Sequence, residues 1–315
     1  MGSTTIVLSH SERRTTRRSI MQSNFMLGGD PLSLDRIRSV LVRLEDTIIF
    51  SLIERAQFAH NPKIYERGAF SQLKEFGELS WLEWFLKETE IFHAKARRYT
   101  SPDEYPFTEN LPEPVLPALH FPKILHPNNI NVNASVLSFY VNSIVPRITR
   151  RATLVSKRVN GDAELNDDGN YGSAATIDIE VMQSISKRVH YGKFVSESKF
   201  QANPAAFIPH ILQPNPEALD ALITKPEVER KLLQRLRKKA VTYAQEVIGE
   251  DAPSPCIDQQ NAKLDVDGVV DFYENWLIPL TKKVEVDYLL CRLDGLSEED
   301  IDALMQKNPK SNLAL

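Results

Sequence analysis

A helix over residues 176–200 would place Val181, Ile185, Arg188, Gly192, Val195 and Lys199 on one face. Two cations on an otherwise apolar stripe are costly to bury unless something anionic meets them. Arg188 and Lys199 stand eleven positions apart, about 16 Å along a helix axis, and Gly192 leaves a gap in the helix surface between them. Two long side chains could close over that gap on a small dianion. Taken alone, this helix has a plainer account, in which both cations snorkel from the rim or pair with core carboxylates.

Three further segments change the weighting. Glu229 shares a helical face with Leu233, Leu236 and Ala240. Thr281 and Glu285 stand at i and i+4 beside Leu277, Tyr288 and Leu289. Arg38 flanks a stripe of Leu34, Leu41 and Ile48. Four helices thus each bring a polar group toward one interior, and a buried small-anion site explains this better than independent ion pairs. With Arg38, Arg188 and Lys199 charged, Glu229 ionised and Glu285 protonated, the set keeps two net positive charges, which suits a dicarboxylate. No nucleophile with a base, metal cluster or phosphate loop stands out: the seven histidines are scattered, and neither HExxH nor GxxxxGK[ST] occurs. No metal and no cofactor is expected, and His190 reads as a packed or solvated ring.

The elements that must position these groups are helical. Leu34, Ile37, Leu41, Leu44, Ile48 and Leu52 recur at helical spacing behind Ser33, a candidate cap. A second helix is expected over 80–99, then a proline-rich extended connector over 101–129 that wraps the surface. Amphipathic helices follow over 133–157 and 176–200, short ones over 204–212 and 216–223, and longer ones over 226–248 and 267–293, with Pro279 kinking the last. Ser297 caps a short helix in the C-terminal extension. The fold class is all-α: a long-helix bundle with a single core and the site buried within the bundle of each protomer. The expected organisation is a basic, disordered tail over 1–30, one helical domain over 31–295, and a short, fraying extension over 296–315.

Composition narrows the classes further. Only 12 of 315 residues are glycine, about half the usual share, which disfavours glycine-rich phosphate-loop and turn-dense all-β architectures. A net charge of −4 argues against a nucleic-acid partner, and no run of about 18 apolar residues suggests a membrane span. The first twenty residues carry Arg13, Arg14, Arg17 and Arg18 against Glu12, so the rest of the chain is acidic. Cys256 and Cys291 form no disulfide or metal pattern, which fits a reducing compartment. A cytoplasmic location is expected, with organellar targeting by the Arg-rich segment as the alternative.

The residues gathered above lie in segments that resemble the all-helical chorismate mutases of fungi and plants: IRSVLVRLEDTIIFSLIERAQF, ETEIFHAKARRYTSPDEYPF, NYGSAATIDIEVMQSISKRVHYGKFVSESKFQ and IPLTKKVEVDYLLCRL. The similarity runs from about residue 33 to 294 in long, ordered blocks. The resemblance implies an isomerase that converts chorismate to prephenate on the route to phenylalanine and tyrosine. By position it implies that Arg38 and Arg188 hold the substrate carboxylates, Lys199 and Glu285 bond the ether oxygen, Glu229 takes the ring hydroxyl and Thr281 lines the pocket. Four residues before Glu229, where the yeast-type enzyme often has Asn, stands Lys225. A pericyclic rearrangement needs no nucleophile, metal or cofactor. It needs a held conformation and stabilised charge on the breaking ether oxygen, so Glu285 must be protonated to donate, and burial would favour that form.

The resemblance also implies a homodimer inhibited by tyrosine and activated by tryptophan. Its effector residues map to Arg97 and Arg98 of one subunit and to Gly172, Ser173 and Thr176 of the other. An arginine pair and a helix N-terminus both suit an amino-acid carboxylate. The loop position tied to switching, a Thr in the yeast-type enzyme, is Asp265 here. The competing reading is a non-catalytic regulatory protein of the same fold that binds chorismate or an amino acid. A purely structural bundle leaves the cations beside Gly192 unexplained.

Overall fold

A computed structural model describes residues 29–117, 119–160, 166–245 and 263–307. The Arg-rich stretch over 1–28, Cys256 and the last eight residues of the C-terminal extension lie outside the described residues. Every regular element among the described residues is helical, and no helix among them is long and apolar enough to cross a membrane.

Helix α1 (Leu34–Arg55) buries Ile37, Leu44, Ile48 and Leu52, as the stripe requires. Ser33 precedes it without a side-chain cap bond; its carbonyl accepts from the Ile37 N–H instead. Helix α2 (Trp81–Lys95) opens on a capping box of Ser80 and Glu83. It stops short of the expected end because Arg97 takes a left-handed φ of 69° and turns the chain into a single 3₁₀ turn, Arg98–Thr100.

The connector over 101–132 has no helix, and its backbone is tied down by buried side chains of the bundle. Glu90 of α2, fully buried, accepts from the Tyr99 hydroxyl and from the N–H groups of Phe107 and Thr108. The His190 ring stacks on Tyr105 at 4.2 Å and accepts from the Val132 N–H at 3.1 Å. Lys193 donates to the Ile130 carbonyl at 2.5 Å, and the Tyr288 hydroxyl accepts from the His126 N–H at 2.9 Å. A proline-rich strap without a helical or sheet ladder of its own needs such partners wherever it crosses apolar surface.

Two helices are interrupted in the same way. α3 (Asn133–Phe139) passes through a π turn, Tyr140–Ile144, into α4 (Val145–Ile148), and α5 (Arg150–Asn160) follows. Before α12, a π turn at Tyr273–Leu277 joins α11 (Val266–Phe272) to α12 (Ile278–Leu290). Pro146 and Pro279 each fall just after the π turn. A proline ring clashes with the carbonyl four residues back, here Asn142 and Asn275, and the wider turn relieves that clash. The expected kink at Pro279 is therefore a π turn.

The helix expected over 176–200 is two helices, α6 (Tyr171–His190) and α7 (Gly192–Ala202), joined at Tyr191. α8 (Pro204–Leu212), α9 (Pro216–Ile223) and α10 (Pro226–Ala244) each begin on proline, which loses no helical bond at that position. α13 (Glu298–Met305) is capped by Ser297. Helix α1 packs on α6 and α10, and α12 packs on α6, α7 and α9. The interior is one dominant apolar cluster, including Ile48, Leu52, Val181, Ile185, Leu236 and Leu277, with smaller clusters under α8, α9 and α13 and around Tyr191 and Phe194.

Within the dominant core lies a closed polar cluster. Arg55 and Asp178, both fully buried, pair at 2.6 Å. Arg55 also donates to the carbonyls of Phe58, Ala59 and His60 and to the Tyr65 hydroxyl, and the Tyr65 and Tyr140 hydroxyls donate to Asp178 at 2.7 Å each. Burial opposes the Arg55 charge, but Asp178 and the two phenols more than offset it and raise its pKa above the ordinary arginine value.

Candidate functional site

All six residues singled out for chemistry line one cleft of about 170 Å³, walled by α1, α6, α7, α10 and α12. Apolar positions Ile37, Leu41, Val195, Leu232 and Ile278 make up much of the remaining wall. The deep side is closed to solvent. Arg188, Thr281 and Glu285 are all at least nine-tenths buried. The mouth is open, because Arg38 is exposed and paired with Asp35 at 3.2 Å, while Glu229 is half-buried and paired with Lys282 at 2.7 Å.

Arg188, in the last turn of α6, has a buried Nε with no hydrogen-bond partner among the described residues. A guanidinium held in that state presents donors to whatever anion enters the cleft. Lys199 donates to the carbonyl of Ile223, the last residue of α9. Burial lowers its pKa, with Glu285 acting in the opposite direction and Lys225 and Arg38 reinforcing the fall. Burial also pushes the Glu285 carboxyl up to about 7, against the pull of Lys199, Arg188 and Lys282 and with Asp220 pushing the same way as burial. The carboxyl is therefore largely protonated below neutrality and able to donate a hydrogen bond. Thr281 spends its hydroxyl proton on the Leu277 carbonyl at 2.7 Å, leaving its oxygen as an acceptor.

The helices that carry these groups are locked together at the site. The Ser196 hydroxyl donates to the Glu285 carbonyl at 3.1 Å. Buried Glu197 accepts from the Tyr288 hydroxyl at 2.5 Å and from Arg292 at 2.6 and 3.0 Å. On the other side Glu45 of α1, buried, accepts two bonds from Arg235 of α10 at 2.9 and 2.6 Å.

One expectation changes, the lining gains two cations, and His190 takes one of its two expected states. Gly192 does not leave room for a ligand: a Cβ there would stand 2.8 Å from Glu285 Cγ and 3.2 Å from the Thr281 carbonyl. The missing side chain admits α12 against α7, which is what sets Lys199 and Glu285 facing the same space. The cleft is also more cationic than the spacing suggested, because Lys225 and Lys282 line it as well. Neither falls on a stripe that marks it as inward-facing; packing between helices far apart in sequence brings them into the wall. His190 is packed: it is fully buried, its Nδ1 faces the Ser186 carbonyl at 2.8 Å, and burial with Lys193 nearby lowers its pKa to about 3, so it is neutral.

The residues expected to take an effector sit away from the cleft. Arg97 donates to the Pro117 carbonyl at 2.9 Å, and Arg98 bonds Glu104 at 3.1 Å and Gln183 of α6 at 2.8 Å. Gly172, Ser173 and Thr176 are exposed on the first turns of α6, with the Thr176 hydroxyl donating to the Gly172 carbonyl at 2.9 Å. No hydrogen bond or ion pair among the described residues joins the two groups within one chain. Asp265 caps α11 through the Gly268 N–H at 2.8 Å and pairs with Arg147 at 2.8 Å. Burial works against its charge, but Arg147 and the cap hold its pKa below the ordinary carboxylate value.

An all-helical bundle whose cleft combines a buried guanidinium with an Nε unpartnered among the described residues, a lysine and a carboxyl protonated below neutrality suits an enzyme that binds a small anion and works by positioning and electrostatics. Comparison with known proteins makes the class specific. Residues 170–286 match the family model described as chorismate mutase type II. The chain is 44% identical over 268 residues to a chorismate mutase of Schizosaccharomyces pombe, covering 85% of this chain and 99% of that one. It is 43% identical over 268 residues to the chloroplastic chorismate mutase 1 of Zea mays, covering 84% of this chain and 80% of that one. Among solved structures, the Candida albicans chorismate mutase Aro7p in complex with L-Trp superposes with a TM-score of 0.76 at 37% identity, over 89% of this chain and 99% of that one. The chain belongs to the chorismate mutase family, in the all-helical form found in fungi and plants.

Proposed function

We propose that this chain rearranges chorismate to prephenate in the cleft between α1, α6, α7, α10 and α12. The observation that carries the reading is Arg188: 5% exposed, with a buried Nε that has no partner among the described residues, in a chain of this family. Arg188 from the deep wall and Arg38 from the mouth clamp the two carboxylates of the substrate, folding its flexible enolpyruvyl ether over the ring. Lys199 and protonated Glu285 donate to the ether oxygen as its bond to the ring breaks and negative charge gathers there. Glu229 accepts from the ring hydroxyl, and Thr281 lines the wall. No proton leaves the substrate and no covalent bond to the protein forms, so the site needs only to select one conformer and stabilise charge.

The test is the loss of chorismate absorbance on adding purified protein, with Arg188→Ala as control. Turnover abolished in the variant supports the reading. A parent protein that binds chorismate, remains folded and turns over nothing would leave the binding-protein alternative.

Regulation is the second part of the proposal. Arg97 and Arg98 of one subunit, with Gly172, Ser173 and Thr176 of its partner, would hold an aromatic amino acid at a homodimer interface. Tyrosine would inhibit and tryptophan would activate. Support comes from the relatives: a chorismate mutase, AtCM1, is described with tyrosine bound in its allosteric site, and the Candida albicans protein with L-Trp. Initial rates with each amino acid separately test it, and flat responses to both would remove it. A cytoplasmic location accompanies this reading, supported by cysteines that form no disulfide pattern. Import of a fluorescent fusion into an organelle would overturn that location.

A further inference from the structure

We propose that Lys282 is a positioning residue of this cleft: its ammonium, paired with Glu229 across the gap between α12 and α10, fixes the carboxylate that receives the substrate's ring hydroxyl. This rests on the reading of the site given above and adds a residue to it. Lys282 Nζ lies 2.7 Å from Glu229 Oε1, and both residues line the cleft. Among the described residues, each is the other's sole side-chain partner. Glu229 sits in the first turn of α10, and among the described residues no other ion pair orients its carboxylate. The pair occupies one carboxylate oxygen and leaves the other free to accept.

A partly exposed ion pair such as this one, at 29% and 31% side-chain exposure, contributes little to stability. Its value is orientation. A second consequence reaches the other carboxyl of the site. Lys282 stands one helical turn before Glu285 and helps lower its pKa, together with Lys199 of α7 and Arg188 of α6 and against Asp220 of α9. Removing Lys282 therefore leaves Glu285 protonated to higher pH.

Steady-state kinetics of Lys282→Gln, Lys282→Arg, Glu229→Gln and the double variant Lys282→Gln/Glu229→Gln across the neutral pH range test this. The expected result for Lys282→Gln is a KM raised about tenfold with kcat within about threefold of the parent. Its alkaline limb should lie at higher pH than the parent's, a change that a loss of fold stability would not produce. Lys282→Arg should restore KM to near the parental value. The double variant should be no worse than Glu229→Gln by more than about twofold, because Lys282 acts through Glu229. Multiplicative losses in the double variant, or an unchanged KM in Lys282→Gln, would overturn the assignment while chorismate turnover by the parent stands. A parent with no turnover overturns the underlying reading, and this one with it.

Discussion

Two arginines buried in the same bundle have opposite surroundings. Arg55, fully buried, makes an ion pair with Asp178 and hydrogen bonds to three carbonyls and a phenol. Arg188, almost as deeply buried, has a buried Nε with no partner among the described residues. A buried charge with every donor satisfied by the fold holds the fold together; one left unsatisfied is tolerable only where a ligand completes it. The Arg55 cluster ties the end of α1 to α6 and to the π turn at Tyr140. At the other end of α6, Arg188 faces a cleft whose remaining walls are apolar side chains, further cations and the two carboxyl groups of Glu229 and Glu285.

The widest separation between the two should appear when each is removed. Arg188→Ala is expected to lower kcat/KM at least about a thousandfold while the urea unfolding midpoint stays at or above that of the parent, since an unpaired buried charge is lost. Arg55→Met should do the reverse. It strands the Asp178 carboxylate in the core and costs about 3–5 kcal/mol of stability, read from the same unfolding curves, with the activity of the folded fraction largely kept. A large activity loss in a well-folded Arg55→Met protein would break the contrast.

Glu285 sharpens the contrast through pH. Its carboxyl must be protonated to donate, and with a pKa near 7 the parent should lose activity as pH rises through neutrality. Glu285→Gln donates at every pH, so its profile should be flat through that range. An unchanged profile would remove Glu285 from the reaction.

A smaller effect is expected from Gly192→Ala. The added methyl meets Glu285 Cγ and the Thr281 carbonyl, and overpacking of this kind costs about 1–3 kcal/mol. Pushing α12 from α7 also misplaces Glu285 against Lys199, so activity should fall about tenfold or more. If activity is unaffected, the close approach of α7 and α12 does not set the site.

Much of the bundle was legible because helical periodicity is local. The stripes of α1 and α6, the cap at Ser297 and the break caused by Pro279 all follow from side chains within a turn or two of each other. Arg55 was legible too, and was overlooked: it continues the stripe of Ile48 and Leu52 by one more turn. The helix end at Lys95 was not, because a non-glycine residue with positive φ at Arg97 leaves no mark in the pattern.

The residue types and helical spacing by themselves determined an all-helical chain with cations and carboxylates on apolar faces, and which six of them deserved to be grouped. Tertiary structure decided what each charge meets. Lys225 and Lys282 enter the cleft, Glu229 is held by Lys282, Arg55 is satisfied and Arg188 is not, and Gly192 serves helix contact. The physical reason is that a helical face is set by neighbours three and four residues away, whereas a buried charge is judged by groups on other helices. Those partners are fixed only when the helices pack.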